Sequence, residues 1–415
     1  MPLMNNKPYH IFYSICLLCM SQITFSQSNG LSSSPYSLYG LGLSNDLNTG
    51  KTNALSNTGL AMPSKYSINN LNPASLGSIP KGSFLYDVGL KLQKETLYED
   101  GNQESRLNGN FSNLALAFPL SAKSGLGITL IPYTNVGYIV TRIESPIDGS
   151  TDSFITNIKG SGGLNDIQLN YGYSLTDNFR LGLRGSFLFG KIKEDETDFI
   201  GSNTLNINET FFYNGFRLGA GIQYDINNKI SVGSFINLPI KLNGDHTRSV
   251  IGGVVPLDEE NDLEAFKLPL EIGFGLHAKL SDKLFFNLDY KRNFWDATNQ
   301  SDLIADYVDQ DFIGFGTEFI PRKNSTNYWR RVNYRAGFKM DNGNLAIKDD
   351  RITNSSISFG LGFPFGNQRR HSFINLGYSY GQKGQVENGL IKENFHTLTL
   401  NLSLEDLWFQ KSKYN

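Results

Sequence analysis

Gly377-Tyr-Ser-Tyr-Gly381 matches a catalytic pattern, the G-x-S-x-G of serine hydrolases. That chemistry needs the serine on a sharp strand-to-helix elbow, with its hydroxyl presented to a histidine base. Ser379 instead falls in or at the end of an alternating strand, so the match reads as coincidence. A lipase reading would need contact between Ser379 and a histidine. His246, His277, His371 and His396 are scattered, and none forms a metal-ligand pair. The acidic run of residues 258–262 lacks the glycine and spacing of a calcium loop and reads as solvated surface. No catalytic residue, metal site or cofactor is expected.

The start of the chain has the layout of a secretory signal, residues 1–26. Lys7 and His10 precede an apolar run over residues 11–20, and Thr24-Phe-Ser26 offers small residues for cleavage. The run is shorter than the about 20 apolar residues of a spanning helix. Both cysteines, Cys16 and Cys19, lie inside it, so the mature chain has no disulfides or thiol chemistry. Leu17-Leu18 stand before Cys19 where a lipoprotein signal wants a small residue.

Of 415 residues, 39% are hydrophobic and the formal net charge is −2, which points away from nucleic acid. No run of 18 apolar residues follows the signal. A barrel escapes that test, because only alternate residues of its strands face lipid.

Alternation is the main signal from Lys81 onward. In residues 268–280 the even positions are Leu, Leu, Ile, Phe, Leu, Ala and Leu, with Pro, Glu, Gly, Gly, His and Lys between them. In residues 179–189 Phe and Leu alternate with Arg180, Gly182, Arg184 and Ser186. Residues 215–224, 332–338, 357–363, 373–380 and 398–404 repeat the pattern. Short connections, such as Ser281-Asp282, alternate with long polar ones, such as residues 95–109, 195–210 and 244–262. Seven long connections separated by six short turns imply an all-β, antiparallel transmembrane barrel of about 14 strands. It is expected over residues 81–404, with a periplasmic tail at 405–415. Lumen-facing Arg180, Arg184, Arg217, Asp289 and Lys291 are expected to pair across a wet interior.

Residues 27–80 are dense in Gly, Ser, Asn and Pro and do not read as strand. Beside such a barrel they read as a hatch folded in the lumen. Pro132, followed by Tyr133, stands inside the third predicted strand. Proline gives no ladder hydrogen bond, and an unpaired backbone group facing lipid is costly. The wall must bend inward there, or water, hatch or ligand must fill the gap. Asn72-Pro73-Ala74 reads as a turn closed by the Asn side chain and fixed by Pro.

Three features together resemble the FadL/TodX family of outer-membrane transporters, in the form common in Bacteroidota. They are Ser34-Pro-Tyr-Ser-Leu-Tyr-Gly-Leu-Gly42, Asn72-Pro-Ala-Ser-Leu76 and Leu404-Glu-Asp-Leu-Trp-Phe409 with its basic tail. Leu38 departs from the Arg or Lys that relatives often carry. The resemblance implies a hatch inside a fourteen-stranded barrel and hydrophobic ligands leaving sideways at a kink in the third strand. The implied opening involves Pro132, Tyr133, Asn72, Pro73 and Ala74. It also implies an external hydrophobic groove, to which Val250, Ile251, Val254, Val255 and Leu257 would contribute. The expected function is passive uptake of a hydrophobic small molecule, fatty-acid-like or aromatic, with outer-membrane lipid and that ligand as partners. The alternative is an accessory barrel or shuttle of a secretion or assembly machine, with a protein partner.

Overall fold

Which face of each strand meets lipid decides the architecture. On the strand Phe179–Ile200, Leu181, Leu183 and Phe187 are 38%, 63% and 46% exposed, whereas Arg180, Arg184 and Ser186 are buried. Apolar side chains point out and polar ones in, the inverse of a soluble protein and the arrangement of a membrane barrel.

The computed structural model describes residues 33–99, 101–252, 257–302, 304–322, 325–366 and 371–407. The expected signal over residues 1–26 lies outside them. In chain order, the hatch strand β1 is Leu43–Ser44. The wall opens with β2 (Ser83–Glu99), β3 (Asn102–Pro119), β4 (Ser124–Pro132), β5 (Thr134–Pro146) and β6 (Ser153–Ser174). Then come β7 (Phe179–Ile200), β8 (Asn203–Asp225), β9 (Ile230–Asn237) and β10 (Ile240–Ile251). They are followed by β11 (Leu257–Asp262), β12 (Phe266–Leu268), β13 (Glu271–Lys279) and β14 (Leu284–Asn293). Two lid strands, β15 (Ser301–Asp302) and β16 (Ala305–Tyr307), precede β17 (Gln310–Phe319) and β18 (Asn333–Asp341). Two more, β19 (Leu345–Ile347) and β20 (Asp350–Arg351), precede β21 (Asn354–Phe365), β22 (Ser372–Lys383) and β23 (Lys392–Leu407). β4 with β5, β9 with β10, and β11 with β12 and β13 are broken single strands of the wall. The result is a closed antiparallel barrel of 14 strands, β2 pairing with β23 from Ser83↔Leu407 onward.

Several stretches that read as long polar loops are ladder. β2 and β3 stay paired to Glu99↔Asn102, and β7 and β8 to Ile200↔Asn203. β8 has 23 residues, roughly 75 Å at about 3.3 Å each, against about 25 Å of apolar band. Such hairpins project far beyond the membrane. Where no lipid touches them the apolar alternation lapses, but main-chain pairing continues.

The lid strands form a separate four-stranded sheet at the long-hairpin end. Trp295, Tyr307 and Leu345 from the lid loops share an apolar core with Tyr36 and Leu41 of the hatch. Apart from β1, the described hatch is loop with three short 3₁₀ helices, Pro35–Leu38, Gly50–Leu55 and Pro73–Ser78. Buried wall carboxylates hold it. Asp87 accepts from the Gly50 N–H at 3.0 Å, and Asp289 from those of Gly59 and Leu60 at 2.7 and 3.0 Å. Glu318 takes Lys51 of the hatch at 2.9 Å and Arg335 at 2.8 Å. The expected lumen charges do find partners. Arg180 pairs with Asp225 at 2.6 Å, Arg217 with Glu271 at 3.1 Å, and Arg184 donates to the hatch carbonyl of Asn70. Lys291 donates to the Asn57 carbonyl at 3.3 Å.

Candidate functional site

Pro132 ends β4, and the wall opens beside it. Below the proline β4 is paired on both sides, with β3 up to Leu114↔Leu130 and with β6 up to Pro132↔Asn165. Above it β5 keeps β6, from Val136↔Gly162 onward. Among the described residues, β5 makes no ladder with β3. Residues 102–113 of β3 are therefore paired on their β2 side alone. In continued register Pro132 would meet Ser112, which lies at the β3 bulge opposite Gly89 and Leu90. A missing donor and a bulge thus coincide where pairing stops. Tyr133 then gives its N–H to Leu164 at 2.7 Å and is itself buried.

The hatch straps the two lips of this gap. On the β5 side, β1 pairs Leu43↔Asn135 and Ser44↔Thr134, and the Asn45 N–H donates to Tyr133 at 2.9 Å. The Ser37 hydroxyl accepts from the Gly137 N–H at 3.0 Å. On the other side the Ser33 N–H donates to Glu95 of β2 at 2.7 Å, and Asn108 of β3 donates to the Ser33 hydroxyl at 2.7 Å. Ser37→Ala should leave the barrel assembled and speed amide exchange at Gly137 about fivefold, because one such bond contributes about 1 kcal/mol. Unchanged exchange would show that the strap does not hold this lip.

Behind the gap lies a cavity of about 340 Å³, lined by Pro132, Tyr133 and Asn110 and also by Lys91, Lys291 and Lys339. Asparagine is its commonest wall residue, and lysines and carboxylates share the lining with aromatic and aliphatic side chains. Asp46 of the hatch pairs with Lys339 inside it. Burial pushes the Asp46 carboxyl up, but Lys339, Lys91 and Lys291 together hold it below the usual carboxylate range.

Asn72, Pro73 and Ala74 sit elsewhere. The Asn72 side chain accepts from the Ala74 N–H at 3.0 Å and donates to the carbonyls of Leu60 at 3.0 Å and Ile222 at 2.9 Å. Pro73 starts the 3₁₀ turn, and the turn packs against glycines of β6, β7 and β8. A Cβ on Gly182 would come within 2.2 Å of the Ala74 nitrogen. These three residues anchor the hatch to the wall, whereas Pro132 and Tyr133 line the cavity.

Of the groove residues, Val250 pairs with Ile207 of β8 and Leu257 of β11, and Ile251 is half exposed at the end of β10. Val254 and Val255 lie outside the described residues. The described part of this run is the end of a paired hairpin. Gly377 to Gly381 lie within β22, without a strand-to-helix elbow. Ser379 lines the cavity, while His396 bonds the exposed Tyr378 hydroxyl at 2.8 Å. Sequence reasoning missed Asn108, Asn110 and Ser112, which sit at the edge of what reads as a polar loop. Only the bulge and the strand edge give them a role.

A family model described as BamG matches residues 9–415. No curated protein matches the sequence. Among solved structures, the toluene transporter TodX of P. putida superposes with a TM-score of 0.61 at 16% identity, covering 88% of this chain and 100% of that one. The toluene transporter TbuX of Ralstonia pickettii gives 0.60 at 15% identity, with 88% and 100% covered. A Pseudomonas aeruginosa FadL homologue gives 0.56 at 13% identity, with 87% and 98% covered. At these identities the likeness speaks for the fold.

Proposed function

The chain belongs to the BamG family, and from that premise and the gap in its wall we propose that it passes hydrophobic small molecules through the outer membrane by a lateral route. The observation that carries this reading is the loss of β3–β5 pairing above Pro132, next to a lumen cavity. A molecule with little affinity for water gains by leaving a lumen sideways into lipid, and a wall with paired strands all round offers no such exit. The neighbouring structures described as toluene transporters and a FadL homologue support the same direction. The hatch blocks the straight path, and its strap across the lips makes the exit narrow. Export by a cleaved signal over residues 1–26 belongs to this reading.

The test is Pro132→Val, which returns an N–H opposite Ser112 on a side chain suited to strands. At equal surface abundance, uptake of labelled toluene or of a labelled long-chain fatty acid should fall severalfold, with the barrel still heat-modifiable. If P132V assembles normally and takes up both as before, Pro132 marks a bulge and not an exit.

A second reading, an accessory barrel of a secretion or assembly machine, is favoured by the amide-rich lining of the cavity. Ligand pockets for apolar molecules are predominantly apolar, and this one is not. A stable protein partner copurifying in stoichiometric amount, together with no uptake of either probe, would select this reading.

A further inference from the structure

Two prolines face one another elsewhere in the wall. β9 ends at Asn237 and β10 begins at Ile240, while β12 ends at Leu268 and β13 begins at Glu271. The flanking pairs Asn237↔Glu271 and Ile240↔Leu268 set Pro239 opposite Pro269. Leu238 spends its N–H on Leu218 of β8 at 2.9 Å, so Asn237 and Pro239 are the residues turned toward the next strand. An ordinary pair there exchanges two ladder bonds, and two prolines exchange none. Leu218 and Leu238 are 52% and 45% exposed, so this part of the wall faces lipid, where orphaned carbonyls are strongly disfavoured.

Arg217 of β8, buried on the lumen side, supplies the donor that the Pro269 carbonyl lacks and caps the Leu238 carbonyl on the β8 side of the break. Its Nε donates to the Leu238 carbonyl at 2.8 Å and its Nη2 to the Pro269 carbonyl at 2.5 Å. Its Nη1 pairs with Glu271 at 3.1 Å, whose other oxygen accepts from Asn237 at 2.8 Å.

We propose that the facing prolines form a second window in the wall and that Arg217 is its seal. Only a planar fork of donors serves two carbonyls and a carboxylate at once; a lysine offers a single point of charge. A break closed by a side chain opens when that side chain swings away, with the strands on either side still paired.

The experiment is amide exchange, read by mass spectrometry, on the full chain in lipid nanodiscs. In Arg217→Ala, peptides covering residues 236–242 and 268–273 should exchange at least about tenfold faster, with the rest of the barrel unchanged. Adding Pro239→Val and Pro269→Val restores both ladder donors. The window peptides should then regain protection. If R217A does not assemble, R217K is read at the same peptides, since it keeps a cation for Glu271 but loses the fork. Native protection in the variant, or acceleration spread evenly over the barrel, would overturn the seal.

Discussion

Gly182→Val is expected to convert a plugged barrel into an open pore. Gly182 lies on the lumen face of β7, and a Cβ there would stand 2.2 Å from the Ala74 nitrogen and 2.4 Å from the Pro73 carbonyl carbon. Both are backbone atoms of the anchoring turn, so no side-chain rotation relieves the clash. Gly172 on β6 and Gly221 on β8 are equally tight against the same turn, at 2.4 Å from the Gly77 nitrogen and 2.1 Å from Asn72 Oδ1. The hatch is gripped by a row of bare backbone, with no shelf to slide onto. The β7 ladders to β6 and β8 do not involve the Gly182 side-chain position, and valine suits a strand. The wall should therefore assemble while the hatch is forced off its seat. Large, stable conductance steps in planar bilayers are expected where the native protein shows small or none, with cells becoming sensitive to antibiotics normally too large to cross. Native conductance from an assembled G182V barrel would mean that the turn is not what seats the hatch.

Glu318→Ala is expected to produce the largest loss of stability. Glu318 is 4% exposed and answers two cations at once, Lys51 from the hatch and Arg335 from β18. Its removal leaves Arg335 buried, with Asn375 at 2.7 Å as its remaining described hydrogen-bond partner. Stranding one side of a buried ion pair costs about 3–5 kcal/mol. Denaturant unfolding in micelles should show a loss of that order. Lys51→Ala should cost clearly less, because the Arg335–Glu318 pair survives it. Equal losses from E318A and K51A would show that the hatch lysine, and not the buried arginine, is what Glu318 serves.

The wall was legible in the sequence because lipid writes its own pattern. Where one face of a strand meets hydrocarbon and the other a wet lumen, every second residue is constrained, as in Leu181, Leu183 and Phe187 against Arg180, Arg184 and Ser186. Above the membrane that constraint ends, which is why the upper halves of β2, β3, β7 and β8 read as loops although their ladders continue. The kink at Pro132 was legible for a different reason, since a proline is visible wherever it stands. Pro239 and Pro269 were just as visible, yet residues 268–280 read as one unbroken alternating strand. A lone proline announces only its own missing donor. That two of them face each other is a fact of register, set by strands that are 30 residues apart in the chain, and no local pattern carries it. The strap over residues 33–37 was hidden similarly, because its partners Glu95, Asn108 and Gly137 are unremarkable until folding brings them to the two lips.

The bonds of the hatch also constrain the order in which the chain becomes a barrel. Its residues bind the first wall strand through Ser33 and Glu95, the middle of the wall through Asn72 and Ile222, and the last strand through Ser34 and Glu393. β2 and β23 meet only once the whole chain has been made, and the hatch touches both. Contacts this far apart in sequence carry a large loop-closure entropy and form late. A hatch already seated against β6, β7 and β8 brings the two ends of the wall to a common surface before they touch. The plug then acts as a mandrel around which the cylinder is wound.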